Sequence, residues 1–129
     1  AAGNVQCRLC PVPLLFDAGH MAFAGGDNLR VIENHFARIT HVHTKDVRMN
    51  VINALDRSSE SFLDAVIKGA FTVPGDGSLD FEEIVKALEG WFVIEAEQDP
   101  VANPPLEMAK KGRTELKRVM DAAGYEVSQ

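Results

Sequence analysis

The 129-residue chain has a hydrophobic content of 46%, which is the apolar fraction of an ordinary globular domain. Its 19 acidic residues outnumber its 13 basic ones, giving a formal net charge of −6. This balance argues against nucleic acid or an anionic membrane as a partner. The chain also lacks a bilayer-length apolar run and a recognisable secretory signal. We therefore expect a cytoplasmic protein that acts on a small metabolite.

The two cysteines of the chain, Cys7 and Cys10, form a C-x-x-C pair. Such a pair can be a redox centre or half of a zinc site. A structural zinc needs four ligands, and the sequence offers no second cysteine pair or nearby paired histidines. We therefore interpret residues 1–12 as a poorly specified segment with two incidental thiols.

Four short apolar runs are typical of β-strands, because they are aromatic or β-branched and are bounded by Gly, Asp or Pro. These runs cover residues 14–16, 39–43, 71–73 and 92–94.

Amphipathic stretches between and after these runs predict four helices. Asp27 is the expected cap of the first, which runs to about residue 37, and Ser58 or Ser59 is the expected cap of the second. Asp80 and Glu83 have capping-box spacing at the start of the third. The fourth begins near residues 103–105 and stops at Gly124.

Each predicted helix has one apolar face that we expect to be buried. In chain order, the residues of these faces are Leu29, Ile32 and Phe36 in the first helix; Phe62, Leu63, Val66 and Ile67 in the second; Phe81, Ile84, Val85 and Leu88 in the third; and Leu106, Ala109, Leu116, Val119 and Met120 in the fourth.

The alternation of strands and helices predicts an α/β fold with a parallel sheet and helices packed outside it. A (β/α)8 barrel uses about 31 residues for each unit, so four units over residues 13–125, followed by a tail at 126–129, resemble half a barrel. An open doubly wound sheet is the competing architecture. No G-x-G-x-x-G loop follows the first strand.

Polar residues follow three of the predicted strands, and ligands bind at the carboxyl ends of parallel strands. Asp17 ends the first strand and His20 follows it in the next loop. Side-chain alternation places His41, His43 and Lys45 on one face of the second strand, and Trp91, Val93, Glu95 and Glu97 on one face of the last.

Carboxylate and imidazole ligands at one sheet end suit Mn²⁺, Co²⁺, Fe²⁺, Mg²⁺ or Zn²⁺. Structural roles are the alternative for each residue taken alone. A buried histidine can bond a backbone carbonyl, Asp17 can be a helix cap, and Lys45 or Arg48 can be solvated or pair with Asp46. Asp76 can be a turn residue between two glycines.

Four motifs carry a more specific resemblance: FDAGHMAFAGGDN, ITHVHTKDVR, SFLDAVIKGAFTVPGDGSLDF and WFVIEAEQDP. Together they resemble the C-terminal half of the inosose dehydratase family, a group of inositol-catabolism enzymes within the xylose-isomerase-like TIM-barrel superfamily. The resemblance runs from about Leu14 to Ala123. The first motif is also similar to the endonuclease IV branch of the same barrel.

The resemblance implies a divalent cofactor, Mn²⁺ or Co²⁺, held by Asp17, His43 and Glu95, with Glu97 as a rival to Glu95. It implies that His20 lies beside the metal and contacts substrate, and that Lys45 and Arg48 are substrate contacts. The available proton-transfer groups are His20, Lys45 and Glu97.

The resemblance also implies a fourth ligand, a glutamate from a strand that this sequence does not contain. A half-barrel would expose two unpaired sheet edges and the apolar interior of its strands, so it should associate with another copy or with the missing half.

Three functions are consistent with this reading. The first is a dehydratase that removes water from 2-keto-myo-inositol by metal-assisted enolisation. The second is a metal-dependent sugar isomerase or epimerase on the same barrel. The third is a non-catalytic half-barrel that self-associates.

Overall fold

The computed structural model of the protein describes residues 12–126, so the Cys7 and Cys10 prediction lies outside the described residues. Strands and helices alternate along the chain. The strands are β1 (Leu14–Asp17), β2 (Ile39–His43), β3 (Asp46–Val47), β4 (Phe71–Thr72) and β5 (Trp91–Val93). The helices are α1 (Ala18–Phe23), α2 (Asn28–His35), α3 (Met49–Ala54), α4 (Phe62–Ile67), α5 (Phe81–Lys86) and α6 (Pro105–Ala122), and a short 3₁₀ turn (Phe36–Arg38) follows α2.

The main sheet has three parallel strands in the order β1-β2-β5. In its register, Leu15 lies opposite His41 and His41 opposite Trp91, while Asp17 lies opposite His43 and His43 opposite Val93. This register brings the carboxyl ends of all three strands to one edge of the sheet. The α/β prediction is confirmed, and the sheet is an incomplete barrel.

The prediction that residues 71–73 form a strand of the parallel sheet is wrong. β4 pairs antiparallel with β3 in a separate two-stranded sheet. Its place beside β2 is taken by β5, because the Thr44 backbone N–H and hydroxyl both donate to the Val93 carbonyl, at 2.8 and 3.0 Å. Pro74 follows the strand pair and cannot donate to a ladder, so β4 ends there.

The two faces of the main sheet differ. Phe16 and Val42 are buried on the outer face, where they pack with residues of α2, α5 and α6. On the opposite face, Leu15 is half exposed and Trp91 is 72% exposed. His41 stacks against Trp91 and is also exposed. The second core lies around β3 and β4 and contains Val47, Ile52, Ala65, Ala70 and Phe71.

Helix caps follow the sequence closely in two cases. Asp27 accepts from the Arg30 N–H to start α2, and Asp80 accepts from the Glu82 and Glu83 N–H groups to start α5. The stripe of α5 is buried as predicted. On α6, Leu116 and Val119 are buried, whereas Leu106 and Ala109 are exposed.

The prediction for α4 is wrong in two respects. Its cap is Ser61 rather than Ser58 or Ser59, because those two hydroxyls donate to Asp56 within the preceding turn. Its expected stripe is largely exposed, and only Ala65 of this helix is buried. Among residues 12–126, no helix combines the length and apolar content needed to cross a bilayer.

Candidate metal centre

Three ligand-type side chains converge at the carboxyl edge of the main sheet. Asp17 ends β1, His43 ends β2, and Glu95 lies two residues after β5. One ligand atom from each lies within 4.8 Å of the others, and this is the one such group within residues 12–126. His43 Nδ1 is 2.7 Å from Glu95 Oε2 and 3.5 Å from Asp17 Oδ2.

A second set of charged groups joins this triad. His20 Nδ1 lies 3.2 Å from Asp17 Oδ2, and Lys45 Nζ lies 3.2 Å from both Asp17 and Glu95. Lys45 also donates to Glu97 Oε1 at 2.8 Å. We call these six residues the strand-end cluster: Asp17, His20, His43, Lys45, Glu95 and Glu97.

Lys45 is the centre of the strand-end cluster, and its side chain is fully buried. Burial works to lower the pKa of its ammonium, but the hydrogen bond to Glu97 and the charges of Asp17 and Glu97 outweigh burial, so the pKa lies above its ordinary value. Its ammonium also lies 5.7 Å from the centre of the Phe71 ring. Lys45 is therefore a fixed cation of the cluster.

The cluster fits a divalent cation. Three carboxylates face one ammonium, which leaves an excess of negative charge. Glu95 Oε2 and Glu97 Oε2 are buried and accept no hydrogen bond from the described residues, although the nitrogens of His43 and Lys45 lie 2.6 to 3.2 Å away. Buried polar atoms are normally satisfied, and this carboxylate and imidazole donor set suits a hard or borderline ion.

Sequence reasoning missed two residues that build the cluster. A Cβ on Gly19 would lie 2.7 Å from Lys45 Cγ, so only glycine leaves room for the buried lysine. Asp17 also accepts from the His20 N–H at 2.8 Å and thereby caps α1. In the D-x-G-H motif, Asp17 is thus both a candidate ligand and a helix cap, and Gly19 leaves room for Lys45. The glycine between Asp17 and His20 was the sequence feature that could have predicted this close packing.

The second missed residue is Asp46, the neighbour of Lys45. Its buried carboxylate accepts the backbone N–H groups of Val47, Gly77, Ser78 and Leu79 at 2.7 to 3.1 Å. Burial raises the pKa of Asp46, although these backbone bonds oppose the change. Asp46 therefore fastens the turn after β4 to β3, instead of pairing with Lys45 or Arg48 as one alternative expected.

Arg48 is not part of the strand-end cluster. It donates to the Gly69 carbonyl at 2.8 Å and to the Thr72 hydroxyl at 3.1 Å, and it pairs with Asp76. Lys111 of α6 also pairs with Asp76, and Gln98 donates to Thr72. We call Arg48, Thr72, Asp76, Gln98 and Lys111 the Asp76 cluster.

Asp76 is more than a turn residue. Burial works to raise the pKa of its carboxyl, but bonds from Lys111, Thr72 and Arg48 outweigh this and lower it to about 2. The Asp76 carboxylate therefore joins β4 to Arg48, which directly follows β3, and to α6.

The parallel strands, the outer helices and the polar residues at the strand ends define a protein of the TIM-barrel class. The chain belongs to the xylose isomerase-like TIM barrel family, whose family model matches residues 10–124.

Individual relatives are similar to nearly the whole chain. The chain is 50% identical over 122 residues to the rhizopine catabolism protein MocC of Rhizobium meliloti, covering 91% of this chain and 38% of that protein. It is 52% identical over 107 residues to the inosose dehydratase of Geobacillus thermodenitrificans, covering 79% and 36%. It is 48% identical over 118 residues to inosose dehydratase 2 of Bacillus cereus, covering 88% and 39%. The chain thus spans less than two fifths of the length of these relatives.

Proposed function

We propose that this chain supplies part of the active site of a metal-dependent carbon–oxygen lyase that dehydrates 2-keto-myo-inositol. The observation that carries the proposal is the convergence of Asp17, His43 and Glu95 within 4.8 Å, next to Lys45, Glu97 and His20. The similarity to inosose dehydratases of two genera supports the choice of substrate.

Asp17, His43 and Glu95 would hold the divalent cation. When bound, such a cation would polarise the ketone and stabilise the negative charge that develops when the neighbouring carbon loses its proton. Mn²⁺ and Co²⁺ are the proposed ions because the resemblance to the inosose dehydratase family implies them, and carboxylate and imidazole ligands suit both. The remaining coordination would come from substrate and from parts of a barrel that this chain does not contain.

The other members of the strand-end cluster would move protons. The reaction removes one proton from the carbon next to the ketone and one hydroxide from the carbon beyond it, and together these make one water. The deprotonated carbon keeps its hydroxyl, so the first product is an enol. The enol becomes the second ketone when its hydroxyl loses a proton and the carbon that lost hydroxide gains one. Lys45 is a buried cation and can donate a hydrogen bond or a proton. Glu97 and His20 are partly exposed and can accept the carbon-bound proton, as a general base requires.

We also propose that the sheet is completed by further strands, from another copy or from a separate half-barrel. Leu15 and Trp91 lie exposed on the inner face of the sheet, where a closed barrel would cover them. Either partner would also add groups to the strand-end cluster, because the cluster lies at the mouth of the same sheet.

A chimeric enzyme tests the proposed function. Residues 12–126 would replace the matching segment of the Geobacillus thermodenitrificans inosose dehydratase, and loss of one water from 2-keto-myo-inositol would be followed by mass spectrometry. We expect the chimera to be active, and His43→Ala within it to lose at least about 100-fold in rate.

Lys117→Ala, an exposed position on α6, is the matched control and should leave the rate unchanged. A folded, metal-loaded chimera that leaves 2-keto-myo-inositol intact, while the parent enzyme consumes it, would overturn the proposal. If that chimera instead interconverted ketoses, the isomerase alternative would replace it.

A further inference from the structure

An aromatic cluster lies directly beside His20. The Phe62 ring is 5.9 Å from the His20 ring, and the Phe71 ring is 5.4 Å from it in an edge-to-face arrangement. Phe62 and Phe71 lie 5.3 Å apart, and Phe23 contacts both. The cluster therefore borders the strand-end cluster through His20.

Exposure separates the rings. Phe71 is fully buried in the second core, whereas Phe62 is 48% exposed and the His20 side chain is 43% exposed. An exposed phenyl ring thus stands next to an exposed imidazole that also lies within 3.5 Å of Asp17, Glu97 and Lys45. Aromatic surface in contact with polar, functional side chains is typical of small-molecule sites.

The Phe62 ring is held in place by its helix. Phe62 is the first residue of α4 and lies between Ser61 and Asp64, the two residues of its capping box. Asp64 accepts from the Ser61 N–H at 2.8 Å, and the Ser61 hydroxyl accepts from the Asp64 N–H at 3.2 Å. With Phe23 and Phe71 packed against the ring, its exposed side is presented in a fixed orientation.

The proposed substrate has two kinds of surface. A six-membered polyol ring with equatorial hydroxyls carries its oxygens around the rim and its C–H bonds on the two faces. The polar side chains of the strand-end cluster can bind the oxygens of the rim, and an aromatic ring can pack against a C–H face. An open-chain ketose has no such face.

We infer that Phe62 forms the apolar wall of the substrate site and selects cyclic polyol ketones over open-chain ketoses. This inference rests on the proposed function, since it places the substrate at the strand-end cluster.

Ligand-observed NMR on the 129-residue chain tests the inference without an activity assay. With Zn²⁺ present, saturation transfer and titration would compare 2-keto-myo-inositol with erythrulose, a ketose that stays open-chain. We expect Phe62→Ala to weaken binding of the cyclic ketone about tenfold, the effect of losing one aromatic contact, and to change erythrulose binding less than about twofold.

Three further variants serve as comparisons. Phe62→Tyr keeps the ring and should bind within about threefold of the original chain. Leu63→Ala removes a neighbouring, more exposed apolar side chain from the same helix, and its binding should be unchanged. Phe62→Leu keeps apolar volume without a ring, and it replaces Phe62→Ala if circular dichroism shows that the alanine variant is unfolded.

The outcomes separate the inference from the proposed function. If the original chain binds the cyclic ketone and the ring-deleted variant binds it equally well, the inference is overturned and the proposed function stands. Equal losses for both ketones would overturn the selectivity. If the original chain binds neither ketone, the same titrations are made on the EDTA-treated chimera, and failure of both ketones to bind there overturns the proposed placement of substrate and the inference with it.

Discussion

The strand-end cluster and the Asp76 cluster contain similar residues but differ in the ratio of carboxylates to hydrogen-bond donors. In the Asp76 cluster, one carboxylate accepts from Arg48, Thr72 and Lys111. In the strand-end cluster, three carboxylates share one buried ammonium, and two of their oxygens accept no hydrogen bond from residues 12–126. A satisfied carboxylate ties structural elements together, whereas an excess of carboxylates creates a place for a cation.

The largest expected difference is in metal affinity, and it also separates Glu95 from Glu97. Glu95→Gln should weaken binding of Mn²⁺ at least about 100-fold, because it removes one of three ligands. Glu97→Gln should weaken it only about tenfold, since Glu97 contacts Lys45 and His20 and would act on the metal through its neighbours.

Isothermal titration calorimetry on the 129-residue chain would measure both affinities, with Asp76→Asn as a matched carboxylate from the other cluster. Unchanged affinity in both glutamine variants would contradict a metal centre at the strand ends. A larger loss for Glu97→Gln would exchange the two roles.

Removing the shared cation should come next in size. Lys45→Met keeps the length of the side chain but leaves the carboxylates of Asp17, Glu95 and Glu97 without a positive neighbour. We expect a loss of about 2 kcal/mol in the free energy of unfolding with EDTA present, below the range for fully buried pairs because both glutamates are one-third exposed. Divalent cation should restore part of this loss.

Urea denaturation with and without Mn²⁺ measures that change. If Lys45→Met were as stable as the original chain in EDTA, the strand-end carboxylates would not need a positive charge beside them. The proposed difference in charge balance between the two clusters would then be wrong.

The Asp76 cluster should show its contribution through pH. The pKa of Asp76 is lowered to about 2 from its ordinary 3.8. Because the folded-state pKa is depressed, the stabilisation is present above about pH 4 and is lost as pH falls through about 2. Asp76→Asn should therefore cost about 1 to 2 kcal/mol at pH 6 and almost nothing near pH 2.

Stability curves of the original chain and Asp76→Asn between pH 2 and pH 6 would test this, with exposed Asp121→Asn as the control. A constant gap across that range would mean that the Asp76 charge is not what joins the elements.

The smallest effect sets the baseline for both clusters. Lys117 and Asp121 form an exposed pair one turn apart on α6 at 2.8 Å. Lys117→Met should change the free energy of unfolding by less than about 0.5 kcal/mol, since solvent screens exposed pairs. Urea denaturation would measure this change. If Lys117→Met destabilised the protein as much as Lys45→Met, burial would not explain why the Lys45 ion pairs stabilise the fold.

Much of the fold followed from local patterns. The parallel strands β1, β2 and β5 and the caps Asp27 and Asp80 were readable because each depends on a few neighbouring residues. The position of β4 was not readable. It depends on Thr44 bonding to Val93 and on Asp46 holding the turn after β4, and both are contacts between residues at least 31 positions apart.

The candidate site shows the same division. Strand-end position and the family resemblance pointed to Asp17, His43 and Glu95 as ligands, and their roles stay predictions. Side-chain alternation placed Glu95 and Glu97 on one face, so it could not rank them. Their distances to His43 and Lys45 now favour Glu95 as the ligand.

The sequence by itself determined which side chains lie at the strand ends, because alternation along a strand and the direction of a parallel strand are local properties. Only the tertiary structure decided that Lys45 is buried among carboxylates, that Arg48 belongs to another cluster, and that Phe62 stands exposed beside His20. These arrangements arise from contacts between segments distant along the chain, and charge and burial become defined only when those segments meet.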